Sequence, residues 1–191
     1  MPRKKDKLVS LEVMETNATW DYRGSRTLHN FICKKDDAER VILDMDTQER
    51  WKHEKKYADQ VKSIFAPSGT RNSSNVFFTD EVAVEEVKLP KTIKATDKYI
   101  YKVYDYFGDR VSSEYGNQKD ILAYVAKKIK TKYAYVSYNG VGRKIEYTPK
   151  TLGGILNSLE ATTSQLEIEP LGRSGNTDGS MIISIFNNRT K

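Results

Sequence analysis

Residues 124–150, YVAKKIKTKYAYVSYNGVGRKIEYTPK, hold the side chains best suited to meeting a polyanion. Lys127, Lys128, Lys130, Lys132, Arg143, Lys144 and Lys150 stand against a single acid, Glu146, so the stretch carries +6, the formal net charge of the entire chain. Tyr124, Tyr133, Tyr135, Tyr138 and Tyr147 are interleaved with those cations. Ammonium and guanidinium groups attract phosphate, and flat rings stack on bases of any sequence. The chemistry these residues imply is noncovalent: nucleic acid held by charge and stacking.

Groups that would support catalysis are fewer. His29 and Cys33 lie four residues apart and would share one face of a helix, but two ligands do not make a zinc site, and a Cys/His pair lacks an orienting third group. Asp44 and Asp46 form an acid pair, yet Asp46 is better placed as a helix cap. Asp80 with Glu86-Val87-Lys88 resembles the acid…Glu-x-Lys set of metal-dependent nucleases, with the first acid too close in sequence. Gly140-Val141-Gly142-Arg143-Lys144 lacks the Walker spacing, and no helix follows it, so a hairpin turn bearing two cations is the better reading. The expectation is a non-enzyme without metal or cofactor.

Composition sets further bounds. Of the 191 residues 38% are apolar and 30% charged, enough for a modest core helped by 12 tyrosines. Residues 98–191 hold 14 Lys+Arg and 9 Asp+Glu, whereas residues 1–97 hold 18 and 17. A basic half beside a near-neutral half suggests an anionic partner for the basic one. Cys33 is the only cysteine, which excludes a disulfide-framed secreted domain. No window approaches the roughly 18 apolar residues of a membrane span. The expectation is a cytoplasmic or otherwise intracellular protein, a virion included, with no membrane partner.

The elements that must position these residues follow from periodicity. Residues 1–7 read as a basic flexible arm. LVSLEVME at 8–15 alternates as a half-buried strand, with Val9, Leu11 and Val13 inward. Residues 27–42 are ambiguous between helix and strand. Residues 46–66 read as a long amphipathic helix, with Trp51, Tyr57, Ala58, Val61, Ile64 and Phe65 on its buried face. VFFTDEVAVEEVKL at 76–89 has strand character. In the second half, strands are expected at 99–107, 133–138, 143–147, 165–171 and 181–186. Helices are expected from Asn117 to Lys130 and from Thr148-Pro149 onward, each with a capping residue. Gly153-Gly154 inside the second helix implies a closely packed backbone, more readily the sheet than a partner.

The resulting β-α-β-β-α-β-β order matches, in its first six elements, the ferredoxin-like split βαβ plan: an antiparallel sheet with helices on one face. The fold class is thus α+β, with an N-terminal half (8–90) and a ferredoxin-like C-terminal half (98–191), or one continuous domain 8–191. Within it, Tyr99, Tyr101, Tyr133 and Tyr135 form a stacking platform if they line the open face, with Lys102 on the neighbouring strand position. YAYVSY at 133–138 resembles the back half of the RNP1 pattern of RNA-recognition motifs. It departs at Thr131-Lys132, where that pattern has a basic-Gly pair, and it falls on the second strand rather than the third.

The leading function is a non-catalytic binder of single-stranded DNA or RNA, using Lys102, Lys127, Lys128, Lys130, Lys132, Arg143, Lys144 and the four platform tyrosines. The alternative is a viral or phage structural protein, or a binder of a host factor, with tyrosine-rich strands as a protein interface or a self-assembly surface.

Overall fold

The computed structural model describes residues 6–17, 25–43, 79–108, 111–138, 140–160, 165–172 and 179–191. The long helix expected at 46–66 and the acid pair Asp44 and Asp46 lie outside these residues. The protein is a mixed α+β chain that divides into two units, residues 1–88 with 189–191, and residues 89–188.

The N-terminal unit contains β1 (Leu8–Asn17), β2 (Ser25–Lys34), a 3-10 turn (Lys35–Asp37), α1 (Ala38–Leu43) and β3 (Thr79–Val87). β1 is central and antiparallel to both β2 and β3. The period-2 pattern of β1 sets the register: Val9 meets Cys33, Leu11 meets Phe31 and Val13 meets His29. Val9, Leu11, Val13, Phe31 and Cys33 then pack with Ala38, Val41 and Ile42 from α1. The ambiguous 27–42 segment is therefore a strand followed by a short helix, a change of period that averages out over one window.

The C-terminal unit contains β4 (Tyr99–Asp105), β5 (Ser112–Gly116), α2 (Gln118–Lys128), β6 (Tyr133–Tyr138), β7 (Val141–Glu146), α3 (Pro149–Leu159), β8 (Gln165–Leu171) and β9 (Met181–Arg189). Its strands run in the order β5-β4-β9-β8-β6-β7, and every neighbouring pair is antiparallel. This order is not that of the ferredoxin-like plan, in which the first of the four strands lies between the third and the fourth: here β4 pairs with β5 and β9, and β8 lies beside β6. SSEYG, short and polar, is an extra strand β5 rather than a connection. MIISIF belongs to β9, which sits in the middle of the sheet between β4 and β8 instead of trailing after the six-element plan. Its near-continuous apolar run fits that central place.

Both helices pack on one face, as expected. Ile121, Val125 and Ile129 with Leu152, Ile155, Leu156 and Leu159 cover Tyr101, Val103, Ala134, Val136, Leu166, Ile168, Met181 and Ile183. The helix starts match the sequence signals. The Asn117 side chain accepts from the Asp120 amide at 2.9 Å, and Asp120 accepts from the Asn117 amide at 3.2 Å, a reciprocal capping box. Thr148 accepts from the Thr151 amide at 3.0 Å, with Pro149 in the first turn. Gly153 corrects the packing expectation: a Cβ there would lie 3.4 Å from Leu122 of α2, so helix meets helix rather than sheet. Among the described residues no helix is long and apolar enough to cross a membrane.

Candidate nucleic-acid interface

Alternation along β6 decides which side chains are available. Ala134 and Val136 are fully buried under the helices, which turns Tyr133 and Tyr135 to the opposite face of the sheet. There they are 38% and 40% exposed. The hairpin partner brings cations to the same face: Lys144 is paired with Tyr135 across β6 and β7. Its Nζ lies 4.3 Å from the centroid of the Tyr133 ring, and Lys132 Nζ lies 5.4 Å from that centroid. Both distances fit cation–π contact. Between the strands Gly140 stands at φ +74°, the left-handed conformation that glycine adopts at least cost.

Gly142 completes the surface. The Tyr135 ring occupies the place that a Cβ at Gly142 would take, so the ring lies across bare backbone. The face is not purely cationic. Glu146 sits opposite Tyr133 and pairs with Lys132 at 3.7 Å, while Glu169 sits on the other side of Tyr135. Both members of the Lys132–Glu146 pair are exposed, and such pairs contribute little, so a phosphate can replace the carboxylate.

The other expected platform residues are elsewhere. Tyr99 and Tyr101 belong to the helix-covered face, because β4 alternates with Val103 inward. Tyr101 is 2% exposed; its hydroxyl donates to Glu160 and accepts from Gln118 Nε2 at 3.2 Å. Burial first, and then the Glu160 carboxylate, hold that phenol well above its ordinary value. Two rings remain of the four-tyrosine platform. Lys102 is on the same side of the sheet as Tyr133 but is buried, 4.6 Å from the Tyr104 ring and 4.9 Å from the Tyr115 ring.

The lysines of α2 divide as well. Lys128 binds Asp105 Oδ2 at 3.0 Å, and the Tyr124 hydroxyl donates to the same oxygen at 2.6 Å. The Phe107 amide donates to Oδ1 at 2.8 Å. Burial opposes the Asp105 charge, yet these three donors outweigh it and hold the carboxyl below its ordinary value. Lys128 is thereby a structural partner, not a free cation. Lys130 donates to the Ala126 carbonyl at 2.9 Å near the helix end. Lys127 and Arg143 are exposed and make no ion pair among the described residues, with Arg143 on the helix side of β7.

Sequence reasoning missed the polar ring beneath the helices. Tyr101, Gln118, Asn157 and Glu160 line a cleft of about 500 Å³ together with Lys98 and Lys119. Gln118 Nε2 donates to Asn157 Oδ1 at 2.7 Å, which ties α2 to α3. The one signal was Tyr101 in phase with Val103, and Ile100 in the opposite phase balances it.

Of the catalytic candidates, the described residues settle the placement of His29 and Cys33. His29 and Cys33 are both on β2, where four residues span roughly 13 Å rather than one helical turn. Cys33 is fully buried, and loss of solvation pushes its thiol up to about 11, with Asp37 adding to the shift. Glu86 is exposed and engaged by Lys7 at 3.1 Å and Lys35 at 3.2 Å. Among the described residues no group of three or more His, Cys, Asp or Glu side chains is placed to hold a metal ion. No protein-family model, curated protein or solved structure matches this chain.

Proposed function

We propose that this protein binds single-stranded nucleic acid on the solvent face of the β6–β7 hairpin. Tyr133 and Tyr135 supply the stacking rings, and Lys132 and Lys144 supply the phosphate contacts. The observation that carries the reading is the pair of exposed rings with two ammonium groups over Tyr133. Arg143, on the helix side of β7, adds positive charge to the hairpin from the face opposite the rings.

Single strands suit this surface better than duplex. It offers two ring faces on a sheet and no helix shaped to enter a major groove. A site of this size engages a few nucleotides. Neutralising about two to four phosphates of a single strand gives a log–log salt slope of roughly −1.5 to −3.

The test is titration of labelled single-stranded DNA, single-stranded RNA and duplex across a salt series, repeated with Lys132→Glu/Lys144→Glu. Binding to single strands that weakens with salt and collapses in the double variant supports the reading. No binding by the wild type at about 50 mM salt, where electrostatic contacts are strongest, overturns it.

A further inference from the structure

The cleft lined by Tyr101, Gln118, Asn157 and Glu160 lies on the helix side of the C-terminal sheet, away from the hairpin rings. Its volume of about 500 Å³ falls within the roughly 300–1,000 Å³ of small-molecule sites. Its walls are tied together. Gln118 Nε2 donates both to the Tyr101 hydroxyl and to Asn157, and Tyr101 donates to Glu160. The segment leading into β4 is fastened to the start of α2: Thr92 donates to Asp120 at 2.6 Å, and Asn117 Nδ2 donates to the Thr92 carbonyl at 3.3 Å. These bonds leave groups over. Among the described residues one Glu160 oxygen and Asn157 Nδ2 have no partner. Lys98 and Lys119, exposed at the rim, make no ion pair among the described residues. Asp97 also lines the cleft, but its Oδ2 accepts from the Lys94 amide at 2.8 Å.

Both signs of charge are present and are spread along the cleft rather than paired. Glu160 is held at Tyr101 and Lys98 at Tyr99, two strand positions or about 7 Å apart. A plain anion gains little from such a lining. A matched ligand carries a phosphate for the lysines, N–H donors for the carboxylate and a flat ring for the half-buried Tyr99. We propose that the cleft binds a guanine mononucleotide. Guanine sets two adjacent donors, N1–H and the N2 amino group, against one carboxylate, and its O6 accepts from Asn157 Nδ2. Adenine offers N1 as an acceptor in the same place, opposite the Glu160 oxygens. Lys98 Nζ now rests 5.2 Å from the centroid of the Tyr99 ring. An exposed contact of this kind is weak, so the ammonium can leave the ring for the phosphate and yield that face to the base.

The experiment titrates the full chain with guanosine monophosphate (GMP), adenosine monophosphate (AMP) and guanosine, and follows backbone amide chemical shifts. GMP should move the amides of Gln118, Lys119, Asn157 and Glu160. It should bind at least about 10-fold more tightly than AMP, which sets an acceptor against the carboxylate. Lys98→Ala/Lys119→Ala should bind guanosine as wild type does and GMP at least about 5-fold more weakly. Glu160→Gln should bind GMP at least about 10-fold more weakly. A wild type whose cleft amides stay in place at millimolar GMP overturns the proposal. So does AMP that binds as tightly as GMP, or a lysine variant that holds GMP as wild type does. A natively folded Glu160→Gln with unweakened GMP binding overturns it too. If that variant loses its native circular dichroism, the base preference and the lysine variant decide. No nucleic-acid strand enters the titration, so strand binding at the hairpin stands or falls separately.

Discussion

One face of the C-terminal sheet carries the same pairing of lysine and tyrosine twice, with opposite consequences. On β4, Lys102 lies 4.6 and 4.9 Å from two tyrosine rings and is buried, in a row with the fully buried Ser184 of β9. On β7, Lys144 lies 4.3 Å from one tyrosine ring, at the exposed end of the sheet. Burial works against the charge of Lys102, but the Tyr104 and Tyr115 hydroxyls outweigh it and hold the ammonium above its ordinary value. At β4 the rings complete the lysine's surroundings and nothing is left to offer a ligand. At β7 the second side of the contact is open. Both contacts involve the outermost pair of strands at an end of the unit's sheet order; residue type and place in that order are shared, and burial separates them.

The contrast predicts that truncations toward β4 lower stability and spare binding, and that truncations on β6 and β7 do the reverse. The largest effect is expected at Asp105, whose carboxylate is buried and accepts from three groups. Asp105→Ala should cost about 3 kcal/mol, read from urea unfolding, and leave affinity for single strands unchanged. The pH dependence has a definite sign. A carboxyl held below its ordinary value of 3.8 contributes stability that is present above that pH and is lost as pH falls through the native value. Wild type should therefore lose stability below about pH 4 by more than Asp105→Ala does. An equal loss in both would remove Asp105 from the account.

The open end comes next. Tyr133→Ala and Tyr135→Ala should each weaken single-strand binding by about 1–3 kcal/mol, from about 5-fold to more than 100-fold, with unfolding free energy changed by less than about 1 kcal/mol. Tyr104→Ala serves as the matched control at the covered end. If it weakens binding as much as Tyr133→Ala, the distinction between the two ends is wrong. A smaller effect separates the two lysines. Lys144→Met should reduce the magnitude of the salt slope by about 0.7, the loss of one phosphate contact, while Lys102→Met leaves the slope as it was.

How much of this was legible in the sequence depends on the range of the interaction. Local signals held: Asn117 with Asp120, Thr148 with Pro149, Gly140 at positive φ and the alternation of β1 all act within a few residues. Alternation alone also separates Tyr133 and Tyr135 from Ala134 and Val136, since a small and a β-branched residue mark the buried side. It could not say which phase of β4 meets the helices, because the two phases balance: Tyr99, Tyr101 and Val103 share one side, Ile100 and Tyr104 the other, and Ile100 is as fully buried as Val103. Strand order was not legible either. β9 reaches the centre of the sheet by pairing with β4 and β8, contacts that no local pattern encodes. The capture of Lys128 by Asp105 is of the same kind: 23 positions separate them, and charge counting treats both as free.

The smallest predicted effect tests whether the Tyr135 ring stacks from the position it now holds. Gly142→Ala introduces a Cβ where that ring lies. The backbone gains roughly 0.5–1 kcal/mol from the residue change, since alanine loses less freedom than glycine on entering a strand. The loss of ring packing across the strands offsets this by a similar amount, about 0.2–1 kcal/mol. Stability should stay within about 0.5 kcal/mol of wild type, because a half-exposed tyrosine can rotate away without moving the strand. The Gly142 Hα protons should be shifted upfield by ring current in the wild type, and the corresponding shift should vanish in Gly142→Ala and in Tyr135→Ala alike. If the ring lying over Gly142 is the stacking surface, Gly142→Ala should bind single strands as weakly as Tyr135→Ala. If it binds like wild type with the ring displaced, Tyr135 stacks from another rotamer and the bare backbone at Gly142 plays no part in binding.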